Sequence, residues 1–278
     1  MSSNLWEIST EGEKNELIDD GVDAEIIRPF IGSKELINSS MRYCLWMNRE
    51  QYLKNMKIKS LEERIENTRI FREQSKAEST KEASKKPWEF VQKGEYEKAY
   101  GNAQKTFGKI TIVVPRVSSK NRIYAPMGIV DSNTVISDSA MAIYDAPLWL
   151  LGLLESRIHM TWLRAVGGRL KTDYRYSAGL VYNTFPVPEM STRRKNEIEN
   201  LVLNILDIRE EEGGTLAELY GSPLAEKNPK PMNARLLEAH QELDRVVDRA
   251  YKPSGFKDDA ERLSLLLEMY EEKVKDVK

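Results

Sequence analysis

Apolar residues in the last ninety or so positions recur at helical spacing. In NARLLEAHQELDRVVDRAY, Leu236, Leu243, Val247 and Tyr251 fall on one seam. STRRKNEIENLVLNILDIREEEG reads as a helix capped by Ser191 or Thr192 and stopped at Gly213-Gly214, and KDDAERLSLLLEMYEEKVK as another. YGSPLAEKNPKP is a loop between them. Upstream, Leu150, Leu151, Leu154, Ile158, Trp162 and Val166 predict one helix from about 145 to 166. Asp145 is its expected N-cap, Pro147 lies in its first turn, and Gly167-Gly168 is its stop. Trp149 and Trp162 are assigned to the core. A further helical stretch over 57–86 carries Leu61, Ile65 and then Thr68 or Arg69 on one stripe, and Pro87 ends it.

Elsewhere the pattern shortens toward that of strands. IIRPFIGSKELINSSMRYCLWM is rich in β-branched and aromatic residues and broken by Pro29 and Gly32. KITIVVPRVSS, RIYAPMGIV and NTVIS are β-branched segments separated by Pro115, Pro126 and Gly128. RLKTDYRYS reads as one short strand, followed by a loop ending in FPVP. The expected class is α+β: a twisted, mixed β region from about 26 to 50 and 105 to 185, flanked by helices, with a helical C-terminal bundle. The expected division is an acidic lead-in (1–25, with a short helix at most), a middle domain (26–188, with a helical insertion at about 57–97) and a C-terminal helical domain (189–278).

Composition adds a charge pattern. The 278 residues carry a formal net charge of only −2. Residues 1–25 nevertheless hold eight acids against Lys14, whereas Lys98–Leu180 holds eleven bases, Lys105 among them, against five acids. A basic field inside a near-neutral chain suits an anion-binding surface, although chance clustering on a solvated surface gives the same count. Cys44, the single cysteine, lies among apolar neighbours and reads as an inert thiol. MSSNLWEIST lacks a signal-peptide layout, and APLWLLGLL is about half of a membrane-spanning helix, so a soluble, cytoplasmic protein is expected. No glycine-rich phosphate loop, metal-ligand spacing, Gly-x-Ser-x-Gly elbow or Asn/Asp-Pro-Pro-aromatic tetrapeptide occurs. Both histidines, His159 and His240, lie in predicted helices. Catalysis by this chain alone is not expected, and no metal or cofactor is assigned to it.

The chemistry concentrates in LKTDYRYS. On a single strand Lys171, Asp173 and Arg175 would share one face at about 7 Å intervals, with Tyr174 and Tyr176 opposite. In the major groove, Lys or Arg satisfies guanine's two acceptors while a carboxylate accepts from cytosine's amino group. Lys171 with Asp173 could therefore address both halves of a G·C pair, and Arg175 a neighbouring purine or a phosphate. An ordinary exposed strand tolerates the same charges, and the residues alone leave both readings open.

RPFIGSKELINSSMRYCLWM, VPRVSSKNRIYAPMGIV, TVISDSAMAIYDAPLWLLGLLESRIHMTWLRAVGGRLKTDYRYSAGLVYNTFPVP and LLEAHQELDRVVDRAY closely resemble, in order, the C-terminal portion of type IIL (MmeI-like) restriction–modification enzymes. Those enzymes join an endonuclease, an adenine-specific DNA methyltransferase and a target recognition domain in bacterial defence. The resemblance implies a DNA target recognition domain with a helical closure, without the nuclease and methyltransferase portions. It implies that Lys171 and Asp173 act on one base pair, and that Arg175 cooperates with a residue near Ser139 on another. By the same resemblance Arg116, Ser118, Ser119, Lys120 and Arg122 lie near DNA, and Arg169 is placed with them as a phosphate contact. Tyr174 and Tyr176 are expected to pack, and Asn183 and FPVP to brace the domain. The implied partners are double-stranded DNA and a methyltransferase domain or subunit, with S-adenosylmethionine as cofactor of the parent enzyme. The alternative is a helical protein–protein adaptor docking through helices 57–86 and 192–212.

Overall fold

The computed structural model describes residues 7–91, 94–100 and 109–276; Lys105 and the first six residues lie outside them. In chain order the strands are β1 (Glu7–Ile8), β2 (Ile27–Ile31), β3 (Tyr43–Leu45), β4 (Ile110–Pro115), β5 (Val117–Ser118), β6 (Gly128–Asp131), β7 (Val135–Ile136), β8 (Ala140–Tyr144), β9 (Gly168–Leu170) and β10 (Asp173–Arg175). The helices are α1 (Glu11–Asp19), α2 (Ser33–Asn38), α3 (Arg49–Asn55), α4 (Lys59–Glu73), α5 (Glu78–Glu82), α6 (Gly94–Tyr100), α7 (Leu148–Leu154), α8 (Arg157–Val166), α9 (Thr192–Glu212), α10 (Leu216–Tyr220), α11 (Ala234–Tyr251) and α12 (Asp259–Asp276). The class is α+β, with mixed sheets flanked by helices and a C-terminal helical bundle. The chain divides into two units: Met1–Glu35, Ser40–Lys109 and Asp131–Ser137 form the first, and Leu36–Ser39, Ile110–Val130 and Asp138–Lys278 the second.

The first unit holds a four-stranded sheet in the order β1-β3-β2-β7, antiparallel except for the β2–β7 pair. The acidic N-terminal stretch is part of this fold rather than a lead-in to it. Glu7 and Ile8 pair with Cys44 and Tyr43, and Thr10 caps α1 by accepting from the Glu13 N–H. Ile8 and Leu17 join Ile26, Leu45, Leu61 and Ile65 in one core. Arg42 neutralises Glu7 and Glu35, so part of the acidic charge is spent on holding the sheet together. Burial pushes the Cys44 thiol up to about 12, which keeps it protonated and unreactive.

The helix expected over 57–86 breaks after Glu73. Leu61, Ile65, Thr68 and Arg72 form its buried stripe, while Arg69 stays outside between Glu66 and Glu73. The buried Arg72 guanidinium donates to the carbonyls of Ala83, Lys86 and Glu89. Satisfying those donors requires the chain to fold back, which a continuous helix would forbid.

The second unit carries two three-stranded sheets, β6-β4-β8 and β5-β10-β9. The helix expected over 145–166 is two helices, and tertiary contacts explain the break. Glu155 turns inward to accept from the Met127 N–H (2.8 Å) and from Arg209. Ser156 is extended, and the N-terminus of α8 is capped from another helix, the Arg157 N–H donating to Asp244 Oδ1 at 2.6 Å. Asp145 is not an N-cap; it sits at φ +52°, and Pro147 occupies the cap position without a side-chain bond. Trp162 is buried, but Trp149 is only half-buried, beneath the Lys195 ammonium.

Helix α9 has its N-cap at Ser191 and ends at Gly213, φ +67°. Its apolar residues Ile198, Val202, Ile205 and Ile208 join the seam Leu236, Leu243 and Val247 of α11 in the core. Tyr251 donates to the Pro186 carbonyl (2.9 Å), so the FPVP segment is tied to α11. No helix among the described residues is long and apolar enough to cross a membrane.

Candidate nucleic-acid interface

RLKTDYRYS is a hairpin, not one strand. β9 and β10 pair antiparallel, with Leu170 opposite Asp173, Arg169 opposite Tyr174 and Gly168 opposite Arg175. Lys171 and Thr172 form the two-residue loop between them. Lys171 has φ +56°, the positive value that a tight hairpin turn demands at its first loop position. The row Lys171–Asp173–Arg175 therefore does not exist: Lys171 occupies the tip, while Asp173 and Arg175 stand on β10. Glycine usually fills such a tip, and its absence hid the turn from the sequence pattern. Lys171→Gly is expected to leave thermal stability unchanged or raise it by up to about 1 kcal/mol, whereas Lys171→Ala should bring no gain; calorimetry of the two variants distinguishes them.

Of the two glycines at the start of the hairpin, Gly167 acts through close approach. A Cβ at Gly167 would lie 2.4 Å from the Leu163 carbonyl oxygen, so only glycine lets the chain leave α8 directly into β9.

The hairpin has two distinct faces, because residues directly opposite in an antiparallel pair project together. One face carries Tyr174, Arg169 and Ser118 of β5. Tyr174 is buried there, with the Arg169 guanidinium 4.0 Å from its ring centroid. The other face carries Leu170, Asp173 and Arg175, next to Val117. Tyr176 is buried too, its hydroxyl 2.9 Å from His159 Nε2. Both tyrosines pack, as expected from the sequence.

The VPRVSSKNR segment lies against this hairpin. The Tyr176 N–H donates to the Arg116 carbonyl (2.8 Å), and the Lys120 N–H donates to Asp173 Oδ1 (3.1 Å). Asp173 is thus partly committed to holding the Lys120 loop, and one carboxylate oxygen is left for another partner. The Arg116 N–H reaches the Ser139 carbonyl (3.3 Å), which brings Ser139 to the same region. Lys120, Ser139, Arg169, Lys171 and Arg175 are exposed, as is Arg116, and Ser119 is half-buried.

Two residues depart from expectation. Ser118 is 5% exposed on the inner face, with its hydroxyl buried, so a contact from it to DNA is withdrawn. Arg122 is half-buried, its Nε has no partner, and burial pulls its guanidinium below the usual range against the attraction of Asp173. A cation desolvated in this way gains from an external anion.

What the sequence did not reveal is how the loop 119–127 is held. Asn121 accepts from the Leu224 N–H (3.0 Å) and Ile123 from Arg164 (3.2 Å). The Tyr124 hydroxyl donates to Asp244 (2.6 Å). At the loop's end Met127 gives its N–H to Glu155 and takes Arg209 on its carbonyl (2.9 Å). Arg209 grips both Glu155 oxygens at 2.6 and 2.8 Å and also reaches Tyr220, which bonds His240. The α9–α11 helices thus position the basic loop through buried polar bonds. No sequence spacing signals such pairs, since their members lie up to 120 residues apart. Among the described residues no cluster of His, Cys, Asp and Glu could hold a metal.

Together these elements set cationic tips, an acceptor and backbone-anchored loops on one part of the second unit, which is chemistry suited to phosphates and base edges. Comparison with known proteins gives a consistent family. Residues 4–189 match the model "MmeI, target recognition domain", and residues 190–278 match "MmeI, C-terminal domain". DNA methyltransferase A of Bacillus subtilis (strain 168) is 50% identical over 245 residues, covering 88% of this chain and 26% of that protein. The solved structure of the type IIL restriction–modification enzyme MmeI in complex with DNA superposes with a TM-score of 0.83 at 31% identity, covering 98% of this chain and 34% of that one. The chain spans about a quarter to a third of the length of these relatives. It belongs to the MmeI family, of which it carries the target recognition and C-terminal domains.

Proposed function

We propose that this chain reads the sequence of duplex DNA for a cytoplasmic restriction–modification enzyme, holding an adenine in register for methyl transfer by a methyltransferase domain. The observation that carries this reading is the β9–β10 hairpin. It projects Lys171 at its tip and Asp173 and Arg175 along one face, bonded to a basic loop that can take phosphates. A two-stranded ribbon fits the major groove. Lys171 meets guanine acceptors from the tip, the second oxygen of Asp173 accepts from a cytosine amino group, and Arg175 with Ser139 addresses a neighbouring pair. Arg116, Ser119, Lys120, Arg122 and Arg169 serve the backbone and set register. The module supplies binding energy and register, not bond making.

The residues here do not fit S-adenosylmethionine. β8 enters α7 through Asp145, Ala146 and Pro147, and β2 enters α2 through Gly32 alone, so neither turn is a glycine-rich cradle. The cofactor belongs with the methyltransferase portion of the enzyme.

Fluorescence anisotropy on duplex DNA over a range of salt tests the proposal. The chain alone is expected to bind in the range of about 10⁻⁴–10⁻⁶ M, with affinity falling steeply as salt rises. Lys120→Ala should weaken all sequences alike and reduce the log–log salt slope by about one. Lys171→Ala should narrow the difference between preferred and random duplex. Affinity indifferent to salt would refute the reading.

A further inference from the structure

The hairpin's outward face contains one residue that charge-based reading leaves unexplained. Leu170 is 51% exposed and stands outside the apolar core of the second unit. Its Cα partner is Asp173, so the two side chains leave the sheet on the same side as Arg175, while Arg169 and Tyr174 occupy the opposite side. Directly opposed residues bring their Cβ atoms to about 4.5–5.5 Å of each other. Leu170 is therefore neighbour to the proposed cytosine acceptor and next in sequence to the tip lysine. An apolar side chain gains nothing in water at that place, and the helices supply it no cover.

We propose that Leu170 is a specificity-determining residue that packs on a pyrimidine C5-methyl group beside the base pair addressed by Lys171 and Asp173. The inference rests on the proposed reading of DNA. The C5-methyl is the one apolar feature that base edges present in the major groove, and an aliphatic side chain is its natural complement. A hairpin that carries an acceptor and an aliphatic group abreast on its two strands, with a cation at the tip, matches a G·C pair followed by a methyl-bearing pyrimidine. Thymine and 5-methylcytosine both carry the group, and the experiment separates them.

The full chain is used to enrich a randomised duplex pool at low salt. The enriched duplex is then remade with deoxyuridine for each thymidine in turn, and with 5-methyldeoxycytidine for each deoxycytidine in turn. At one thymidine, removal of the methyl should weaken the wild-type chain about fourfold, the worth of one buried methyl-sized group. Leu170→Ala should bind the parent duplex about as weakly and be indifferent to that replacement. Being half-exposed, Leu170 can be truncated without unfolding the chain, and an unchanged circular dichroism melt checks this. A gain on cytosine methylation at one position, lost in Leu170→Ala, would support 5-methylcytosine as the source of the methyl. Selective binding that ignores every methyl replacement overturns the role of Leu170 and leaves the DNA reading intact. No enrichment of any sequence overturns the reading itself.

Discussion

Glu155→Ala is expected to destabilise the second unit by about 3–5 kcal/mol, the usual cost of stranding one partner of a buried ion pair. Arg209 and Glu155 are both buried, at 8% and 1% side-chain exposure. Burial pushes the Glu155 carboxyl above its usual range, and Arg209 pulls against it. Burial alone would lower the Arg209 pKa, but the Glu155 carboxylate beside it holds the guanidinium charged. Without the carboxylate, Arg209 keeps a charge with no counter-ion, and the Met127 N–H loses its acceptor. Replacing both partners, Glu155→Leu with Arg209→Met, should recover most of the loss, because paired burial is expensive to desolvate in the first place. Guanidinium unfolding of the three variants measures the cycle. A single variant within about 1 kcal/mol of wild type would mean that water reaches the pair. Since Met127 ends the basic loop, Glu155→Ala should also blunt sequence discrimination in DNA binding at temperatures where the fold persists.

The second large effect is acid lability. His159 is fully buried, with its Nε2 on the Tyr176 hydroxyl, Phe185 edge-on at 4.4 Å and no partner for Nδ1. Burial pushes its pKa down to about 3, and burial also holds His240 well below the ordinary value. A base with a depressed folded-state pKa contributes stability above the unfolded value near 6.5 and loses it as pH falls toward 3. His159 alone should therefore remove about 3 kcal/mol between pH 6.5 and pH 4. Asp244 works in the opposite direction. Burial raises its carboxyl to about 6, so its contribution is complete below about 3.8 and is lost as pH rises through 6. His159→Gln keeps a hydrogen-bonding group for Tyr176 but cannot titrate, and its urea midpoint should fall less on acidification than that of the wild type. Parallel pH profiles for the two proteins would show that His159 does not carry the acid response.

Legibility followed the range of the interactions involved. The α11 seam, the Ser191 cap and the Gly213 stop were plain in the sequence because they arise from side chains three or four positions apart. Cys44 was readable as a packing residue from its apolar neighbours, and Tyr174 and Tyr176 from their alternation with the charged positions. The cluster of bases and the family pattern pointed to the surface that carries Arg116, Lys120, Lys171 and Arg175.

The turn at Lys171 was different. It has no glycine or asparagine to announce it, and the hairpin is held from outside by β5, through Tyr174–Ser118 and Arg175–Val117 pairing, and by the Lys120 loop on Asp173. Ser118 could not be placed inward without knowing that it faces Tyr174. The break between α7 and α8 was likewise invisible, because its causes, Asp244 and Arg209, come from other helices. By itself the sequence determined the α+β class, the helical character of the C-terminal bundle and where cationic chemistry gathers, since these depend on local periodicity and composition. Only the tertiary structure decided which side chains share a face, because facing is set by pairing register and buried polar bonds between residues far apart in the chain.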